Sequence, residues 1–132
     1  MLKISKMTDY AAVILGYLAK TQPSFVSAKT IATSSELSLP TVSKLLKTLA
    51  DAGLVKSSRG TDGGYCIAKN TSEITVAEIV TAIEGRVAIT ECCKSTNCNL
   101  EKKCSLKVKW QRINKLILEL LDGVKLSDML AP

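Results

Sequence analysis

The stretch that decides the fold is "SLPTVSKLLKTLADAGLVKSSRGTDGGY", residues 38–65. Ser38 can cap a helix, and Pro40 is tolerated because it lies in the first turn. Short strand patterns follow at 54–57 and 65–68, with a turn that contains three glycines between them. The stretch therefore predicts a helix with a β hairpin directly behind it. The apolar face of that helix is expected to comprise Val42, Leu45, Leu46 and Leu49.

Two further helix patterns precede this stretch. Ser27 can cap a helix over "AKTIATSSEL", and a tight polar turn at 34–38 separates that helix from the one that follows. Before it, "DYAAVILGYLAK" predicts a first helix that runs to about Lys20, with Thr8 as its cap. Together with the hairpin, these patterns predict a mainly α fold with a small β wing, a winged helix-turn-helix.

The second half of the chain predicts a short helix, a cysteine-rich loop and a long helix. Thr75 and Glu78 form a capping-box pattern at the start of "ITVAEIVTAIEG". Residues 88–104 have no clear period and are expected to be a loop, whereas a last helix should run from about Ser105 to Asp122. Its apolar stripe predicts a partner helix and hence a homodimer. The stripe comprises Leu106, Trp110, Ile113, Ile117, Leu120 and Leu121.

The basic excess of the chain lies in its first half. The net charge is +6, and residues 1–69, with nine Lys and Arg against four Asp and Glu, hold +5 of it. Any single lysine would be read as a solvated surface residue, but a basic helix-turn-helix with a wing favours double-stranded DNA as partner. The predicted face combines short polar groups for base edges with cations for phosphates. It comprises Thr41, Ser43, Lys44 and Lys47 on the helix, Lys56, Arg59 and Gly60 on the wing, and Lys3, Ser5 and Lys6 before the first helix.

Four of the five cysteines lie within 13 residues. Cys92, Cys98 and Cys104 are separated by five residues each, and Cys93 stands beside the first. Three thiolates on one loop can converge on a metal ion or an iron–sulfur cluster. This spacing alone leaves open a cluster, a zinc site and a thiol switch, although zinc knuckles are spaced more tightly. Cys66, in the wing, is expected to be a small buried apolar residue.

Several classes of protein are disfavoured by what the sequence lacks. There is no histidine, which removes Cys/His zinc fingers and the usual general base, and no nucleophile constellation or phosphate loop is visible, so we do not expect an enzyme. The apolar run at 11–19 is too short for a membrane span and lacks the flanks of a secretory signal. We therefore expect a cytoplasmic protein without a membrane partner, in a compartment where disulfides are uncommon.

Several motifs together resemble one family. They are "SKMTDYA", "LPTVSKLLKTLADAGLV", "SRGTDGGY", "ITVAEIVTAIEG", "ITEC", the cysteine triplet and "WQRIN". Over nearly its full length the chain resembles the bacterial winged-helix iron–sulfur regulators of the IscR/NsrR type, most of all the SUF-system branch. The resemblance implies a homodimeric transcription factor in which Cys92, Cys98 and Cys104 hold a [2Fe-2S] or [4Fe-4S] cluster. It also implies that the recognition helix reads DNA with Pro40, Thr41, Ser43 and Lys44, and the wing with Arg59.

The fourth ligand of such a cluster differs between branches of the family. In the IscR branch a histidine three residues after the last cysteine completes the site; here that position is Lys107, whose protonated amine cannot bind a metal. In the NsrR branch an aspartate at the start of the first helix, from the other subunit, takes this place, and Asp9 matches it. Asp9 is also an ordinary carboxylate for a helix N-terminus. Cys93 and an exogenous ligand are the alternatives.

These expectations divide the chain into three parts. Residues 1–85 form a winged helix-turn-helix DNA-binding domain, 86–104 a cysteine-rich cluster-binding loop, and 105–132 a dimerisation helix with a tail. The expected function is a repressor of SUF-type iron–sulfur assembly genes that senses its own cluster. One alternative is a winged-helix regulator whose cysteines form a thiol switch or a zinc site. The other is a small iron–sulfur electron carrier or cluster-transfer protein without a DNA role.

Overall fold

A computed structural model describes residues 2–94, 98–100 and 103–132 of the chain. Within these ranges the order of elements is mainly helical with one hairpin, which confirms the predicted fold class. None of the helices described is both long and apolar enough to cross a membrane. The elements are α1 (Lys6–Thr21), α2 (Ala28–Ser35), α3 (Leu39–Asp51), β1 (Val55–Ser58), β2 (Gly64–Ile67), α4 (Val76–Glu84), α5 (Glu91–Lys94), α6 (Lys107–Asp122) and α7 (Leu126–Leu130).

The helices α2 and α3 form the predicted helix-turn-helix. Ser27 and Ser38 cap them, because each hydroxyl accepts a hydrogen bond from a backbone N–H three residues later, at 3.2 and 3.4 Å respectively. Between the two helices, Glu36 adopts the left-handed conformation with φ of 57°. This residue turns the chain sharply, so α3 begins again only three residues later, at Leu39.

The apolar faces of α1, α2 and α3 meet with the wing in one core. The stripe predicted on α3 is buried, since Leu46 and Leu49 are fully inaccessible to solvent. Burial of one leucine side chain stabilises a fold by about 1.5–3 kcal/mol, so this face fixes the orientation of α3. The buried core comprises Ala11, Ile14, Leu15, Leu18, Ile31, Ala32, Val42, Leu45, Leu46, Leu49, Leu54, Val55, Ile67, Ile74, Ile79 and Leu126.

The wing is an antiparallel pair of strands that is attached to the segment before α2. Its register runs from Val55 opposite Ile67 to Ser58 opposite Gly64. Tyr65 and Val26 exchange two backbone hydrogen bonds of 2.8 and 2.7 Å. A Cβ at position 64 would lie 2.4 Å from the carbonyl oxygen of residue 26, so a glycine is required where the two backbones meet.

The start of the first helix differs from the prediction. α1 is capped by Ser5 and not by Thr8, because the Ser5 hydroxyl accepts the N–H of Thr8 at 3.3 Å. Thr8 lies inside the first turn, is buried, and donates its hydroxyl to the carboxylate of Glu84 at 2.9 Å. The Thr8 hydroxyl, which the sequence predicted to cap α1, therefore joins α1 to the end of α4.

The expectation of a loop throughout 88–104 was wrong. The N–H groups of Cys93 and Lys94 donate to the carbonyl oxygen of Thr90 at 3.0 and 3.2 Å, and this closes the single turn of α5. The last long helix begins slightly later than predicted, at Lys107. We call residues 88–104 the cysteine segment; its residues 95–97 and 101–102 lie outside the described ranges.

The tail after α6 returns to the N-terminal part of the fold. Lys125 forms an antiparallel bridge with Thr75, and the N–H of Leu126 donates to the carbonyl of Ile74 at 2.8 Å. Leu126 is 1% exposed and belongs to the core. The end of the chain, which sequence grouped with the dimerisation helix, is thus part of the same core as α1 and α3.

The predicted capping box of α4 is present. The N–H of Glu78 donates to the Thr75 hydroxyl at 3.0 Å, and the Thr75 N–H donates back to the carboxylate at 2.9 Å. Lys69, just after the wing, donates to the other carboxylate oxygen at 2.7 Å. Burial alone would raise the pKa of Glu78, but the bonds from Lys69 and from Thr75 outweigh it and lower that pKa below its ordinary value. The start of α4 is thereby held to the end of the wing.

Candidate functional site

The outer face of α3 presents its polar residues to solvent. Ser43, Lys44 and Lys47 are exposed, Pro40 is exposed in the first turn, and Thr41 is half-buried at the edge. The Ser38 cap donates its hydroxyl to that of Thr41 at 2.7 Å, which holds the threonine side chain in place. The face is opposite to the buried leucines, as predicted. It offers hydroxyls and ammonium groups on one helix surface, the chemistry that base edges and phosphates require.

The wing presents a second basic surface. Lys56 and Arg59 are exposed, and Gly60 next to them has φ of 109°. The N–H of Gly63 donates to the carbonyl of Gly60 at 3.0 Å and closes the tip. The tip is thin because glycines form it, so the arginine can approach a groove closely. The residues predicted to bind DNA from α3 and the wing therefore lie at the surface, with Thr41 at its edge.

The N-terminus of α1 is tied to the end of α4. Glu84 accepts a hydrogen bond from the Ser5 N–H at 3.1 Å and one from the Thr8 hydroxyl at 2.9 Å. Asp9, one residue further, is exposed and borders an apolar hollow formed with Val76 and other residues of α4. Its carboxylate is therefore accessible to another molecule. Lys3 and Lys6, predicted to contact phosphates, are exposed at the same end of the helix.

The cysteines of the segment are free thiols with different exposure. Cys93 is 7% exposed, whereas Cys92, Cys98 and Cys104 are half-buried. The hydroxyl of Thr90 lies 3.1 Å from the sulfur of Cys92 and 3.2 Å from that of Cys93. Of the two neighbours, Cys93 is thus buried and Cys92 is the more exposed residue. Cys66, the fifth cysteine, is buried in the wing as expected.

The cysteines of the segment have the donor chemistry of an iron–sulfur cluster site. Half-buried free thiols are the ligand type that such clusters use, so Cys92, Cys98 and Cys104 fit by chemistry. Across the described ranges, however, no three Cys, Asp or Glu side chains are close enough together to hold one metal ion. Neither the triplet nor Asp9 is gathered at one point in the single chain. Binding of a cluster would require the segment to draw its thiols together.

The helix α6 has an apolar surface that the chain does not cover. None of its sixteen residues, all of them within the described ranges, is buried. Of the stripe predicted as a dimer interface, Trp110, Ile113 and Leu120 are exposed and Ile117 is half-buried. Exposed apolar patches of this kind mark contact sites with other molecules. The large exposed apolar side chains of α6 are Val108, Trp110, Ile113, Leu116, Leu118 and Leu120.

Sequence reasoning missed three polar residues around the cysteine segment. Glu84 and Thr90 make the contacts described above. Asn114, on α6, accepts the N–H of Ile89 at 2.9 Å and donates to the carbonyl of Val87 at 3.0 Å. The only signal for it in the sequence is its place at the end of "WQRIN". Its partners lie 25 and 27 positions away, so no local pattern predicts the contact.

The profile of the Rrf2 family, "Iron-dependent Transcriptional regulator", matches residues 4–132. The chain belongs to this family. The match confirms the predicted membership of a family of winged-helix transcriptional regulators. It does not show whether the chain belongs to the SUF branch.

Two Rrf2-family regulators illustrate the similarity. CymR of Bacillus subtilis is 32% identical over 129 residues, 97% of this chain and 89% of CymR. IscR of Photorhabdus laumondii is 32% identical over 93 residues, 70% of this chain and 57% of IscR. Both are named as HTH-type transcriptional regulators rather than as enzymes.

Solved structures have the same fold. The structure of CymR, described as the global cysteine regulator of B. subtilis, matches with a TM-score of 0.74 and 34% identity over 98% of this chain and 97% of CymR. The structure of T. potens IscR matches with a TM-score of 0.70 and 34% identity over 98% of this chain and 86% of IscR. The chain is therefore a winged-helix transcriptional regulator.

Replacing Lys44 by alanine should weaken binding to duplex DNA and reduce its dependence on salt. One lost phosphate contact lowers the slope of log affinity against log salt by about 0.9. The measurement is fluorescence anisotropy with a labelled duplex of mixed sequence at several salt concentrations.

Lys115→Ala is the matched control, since it removes the same charge from an exposed position on α6. It should retain the slope of the unmodified protein. Equal reductions of the salt slope in the two variants would mean that α3 makes no specific contribution to phosphate binding.

Proposed function

We propose that this chain is a cytoplasmic, homodimeric repressor that senses an iron–sulfur cluster and controls SUF-type iron–sulfur assembly genes. The proposal rests on one observation. This Rrf2-family chain combines an exposed recognition helix and wing with three free cysteines on one segment. The first part recognises DNA, and the second has the donor type of a cluster site.

DNA recognition is assigned to α3 and the wing. The hydroxyls of Thr41 and Ser43 are short enough to meet base edges in a major groove, and the ammonium groups of Lys44 and Lys47 suit the flanking phosphates. On the wing, Lys56 provides a further phosphate contact, while Arg59 beside Gly60 can enter the minor groove. Pro40 orients the first turn of α3. The support is the exposure of this surface, since the leucines opposite to it are fully buried.

The cluster is assigned to Cys92, Cys98 and Cys104 of one subunit and to Asp9 of the other. Cys92 is favoured over Cys93 because it is half-buried whereas Cys93 is buried, and the exposed position of Asp9 supports a ligand offered to a partner. Cys93 remains the alternative fourth ligand. A bound cluster would be redox-active, and its oxidation or loss would change which atoms the cysteine thiolates bind. The chain itself supplies the thiolates and the contacts that hold the segment in place.

A physical connection between the cysteines and the DNA-binding surface runs through the end of α4. Glu84 is the last residue of α4 and holds the N-terminus of α1 through Ser5 and Thr8. The cysteine segment begins four residues after Glu84. Rearrangement of the segment on cluster binding can therefore change the position of α1, against which α3 packs. Coupling of this kind between two sites typically changes affinity about 5–150-fold.

The proposed sensing makes a spectroscopic prediction. Protein purified without oxygen should be coloured and contain iron and acid-labile sulfide, and alanine at position 92, 98 or 104 should remove most of the visible absorption. Cys66→Ala is the control, because this buried wing cysteine should leave the spectrum unchanged. Asp9→Ala should alter the spectrum without removing the cysteine ligands. Colourless protein that contains only zinc would contradict the assignment.

A thiol switch is the second candidate, and two observations favour it. The sulfurs of the neighbouring Cys92 and Cys93 lie 3.1 and 3.2 Å from one hydroxyl, that of Thr90. The oxidised form of Staphylococcus aureus CymR is also similar, with a TM-score of 0.71 and 26% identity over 99% of this chain and 98% of CymR. A reversible Cys–Cys bond under oxidant, without acid-labile sulfide, would support this candidate over the cluster. Membership of a family of transcriptional regulators disfavours the electron-carrier alternative.

Dimerisation is assigned to α6 through Trp110, Ile113, Ile117 and Leu120. The support is the set of exposed apolar side chains on this helix. Ile113→Glu should produce monomers in sedimentation velocity, because an unpaired carboxylate in an interface costs more than about 3 kcal/mol. Gln111→Glu, an exposed position on the same helix, adds the same charge and should retain the dimer. Dimers in both variants would place the interface elsewhere.

A further inference from the structure

The side chain of Asn114 binds the chain that leads into the cysteines. Its carbonyl oxygen accepts the N–H of Ile89 at 2.9 Å, and its amide nitrogen donates to the carbonyl of Val87 at 3.0 Å. One side chain thus satisfies a donor and an acceptor of the same backbone stretch, as a neighbouring strand would. The two bonds attach residues 87–89 to α6, although these residues follow α4 in the chain.

The next residue after this attachment organises the first two cysteines. Thr90 follows Ile89 directly, and its carbonyl accepts the N–H groups of Cys93 and Lys94 to form the turn of α5. Its hydroxyl lies 3.1 Å from the sulfur of Cys92. The position of the Cys92 sulfur therefore depends on where Thr90 is held, and Thr90 is held through its neighbour.

A cavity between α5 and α6 brings the same residues together. It has a volume of about 460 Å³, and its lining includes Cys92, Cys93 and Asn114. The amide that holds the backbone therefore borders the space next to the two sulfurs. The lining also includes Arg86 and Lys94.

We propose that Asn114 is a positioning residue, which holds the backbone of Val87 and Ile89 on α6 and thereby sets the place of Cys92 in the cluster site. The proposal rests on the proposed cluster-sensing function. It adds a direct connection between the dimerisation helix and the sensor, because the same helix carries Asn114 and the exposed apolar stripe. The Asn114 amide can make the two bonds because its oxygen is an acceptor and its nitrogen is a donor.

The test compares Asn114→Leu, Asn114→Asp and the control Gln111→Leu with the unmodified protein. Gln111 is an exposed amide on the same helix and lines the same cavity. In cluster-free protein, the backbone amide of Ile89 should exchange its hydrogen about tenfold faster in Asn114→Leu, because a hydrogen bond that held it is lost. Asn114→Asp retains the acceptor but loses the donor, so it should show a smaller increase and provides a second variant if the leucine variant does not fold.

The consequence for the cysteines is measured in two further ways. The Thr90 hydroxyl also lies 3.2 Å from the sulfur of the buried Cys93, so alkylation of both Cys92 and Cys93 at a fixed pH should be faster in Asn114→Leu. The visible absorption of clustered protein should decay about five- to tenfold faster under a chelator. Gln111→Leu should match the unmodified protein in all three measurements. Unchanged exchange at Ile89 would overturn the proposal, and so would faster exchange with unchanged alkylation and cluster lifetime.

These measurements distinguish a failure of the role proposed for Asn114 from a failure of the proposed cluster-sensing function. If the unmodified protein binds no cluster, the cluster-sensing function fails, while hydrogen exchange and alkylation still decide whether Asn114 positions the segment. If the protein binds a cluster but Asn114→Leu behaves like the control, the function stands and the role of Asn114 is rejected.

Discussion

Burial of one face of α3 against α1 and α2 is the constraint on which the rest of the structure depends. Leu46 and Leu49 are completely buried in this contact, and they can be so only if Ser43, Lys44 and Lys47 face outward. The wing begins only four residues after α3 ends and is attached to the core through Val55. The orientation of a single apolar stripe therefore creates the whole surface that we assign to DNA.

The cysteine segment is connected to the rest of the fold on both sides. Glu84 joins the end of α4 to α1, Asn114 fastens the following residues to α6, and the tail after α6 returns to the core through Leu126. In the proposed function, cluster binding at this segment and DNA binding at α3 are coupled through these contacts. Such coupling is reciprocal, because a ligand that shifts DNA affinity must itself be bound differently by the DNA-bound form.

The features that sequence predicted correctly are local ones. The caps Ser27 and Ser38, the box at Thr75, and the leucine stripe depend on residues a few positions apart, so periodicity and capping rules identify them. Besides the missed turn of α5, the failures involve contacts between distant parts of the chain. Thr8 does not cap α1, because its hydroxyl donates to Glu84, which lies 76 positions away. Asn114 accepts a hydrogen bond from the backbone of Ile89, which lies 25 positions away. Cysteine spacing indicated the donor type, but convergence of the donors depends on how the segment folds, which spacing does not encode.

The central claim is that the state of the cysteine segment sets the affinity of α3 and the wing for DNA. The most direct measurement is the dissociation constant for a SUF-type promoter fragment at one fixed salt concentration, with clustered and cluster-free protein from the same preparation. The account predicts at least about tenfold tighter binding by the clustered form, within the usual range of coupling between sites. Equal affinities of the two forms, with cluster content verified by iron and sulfide, would contradict it.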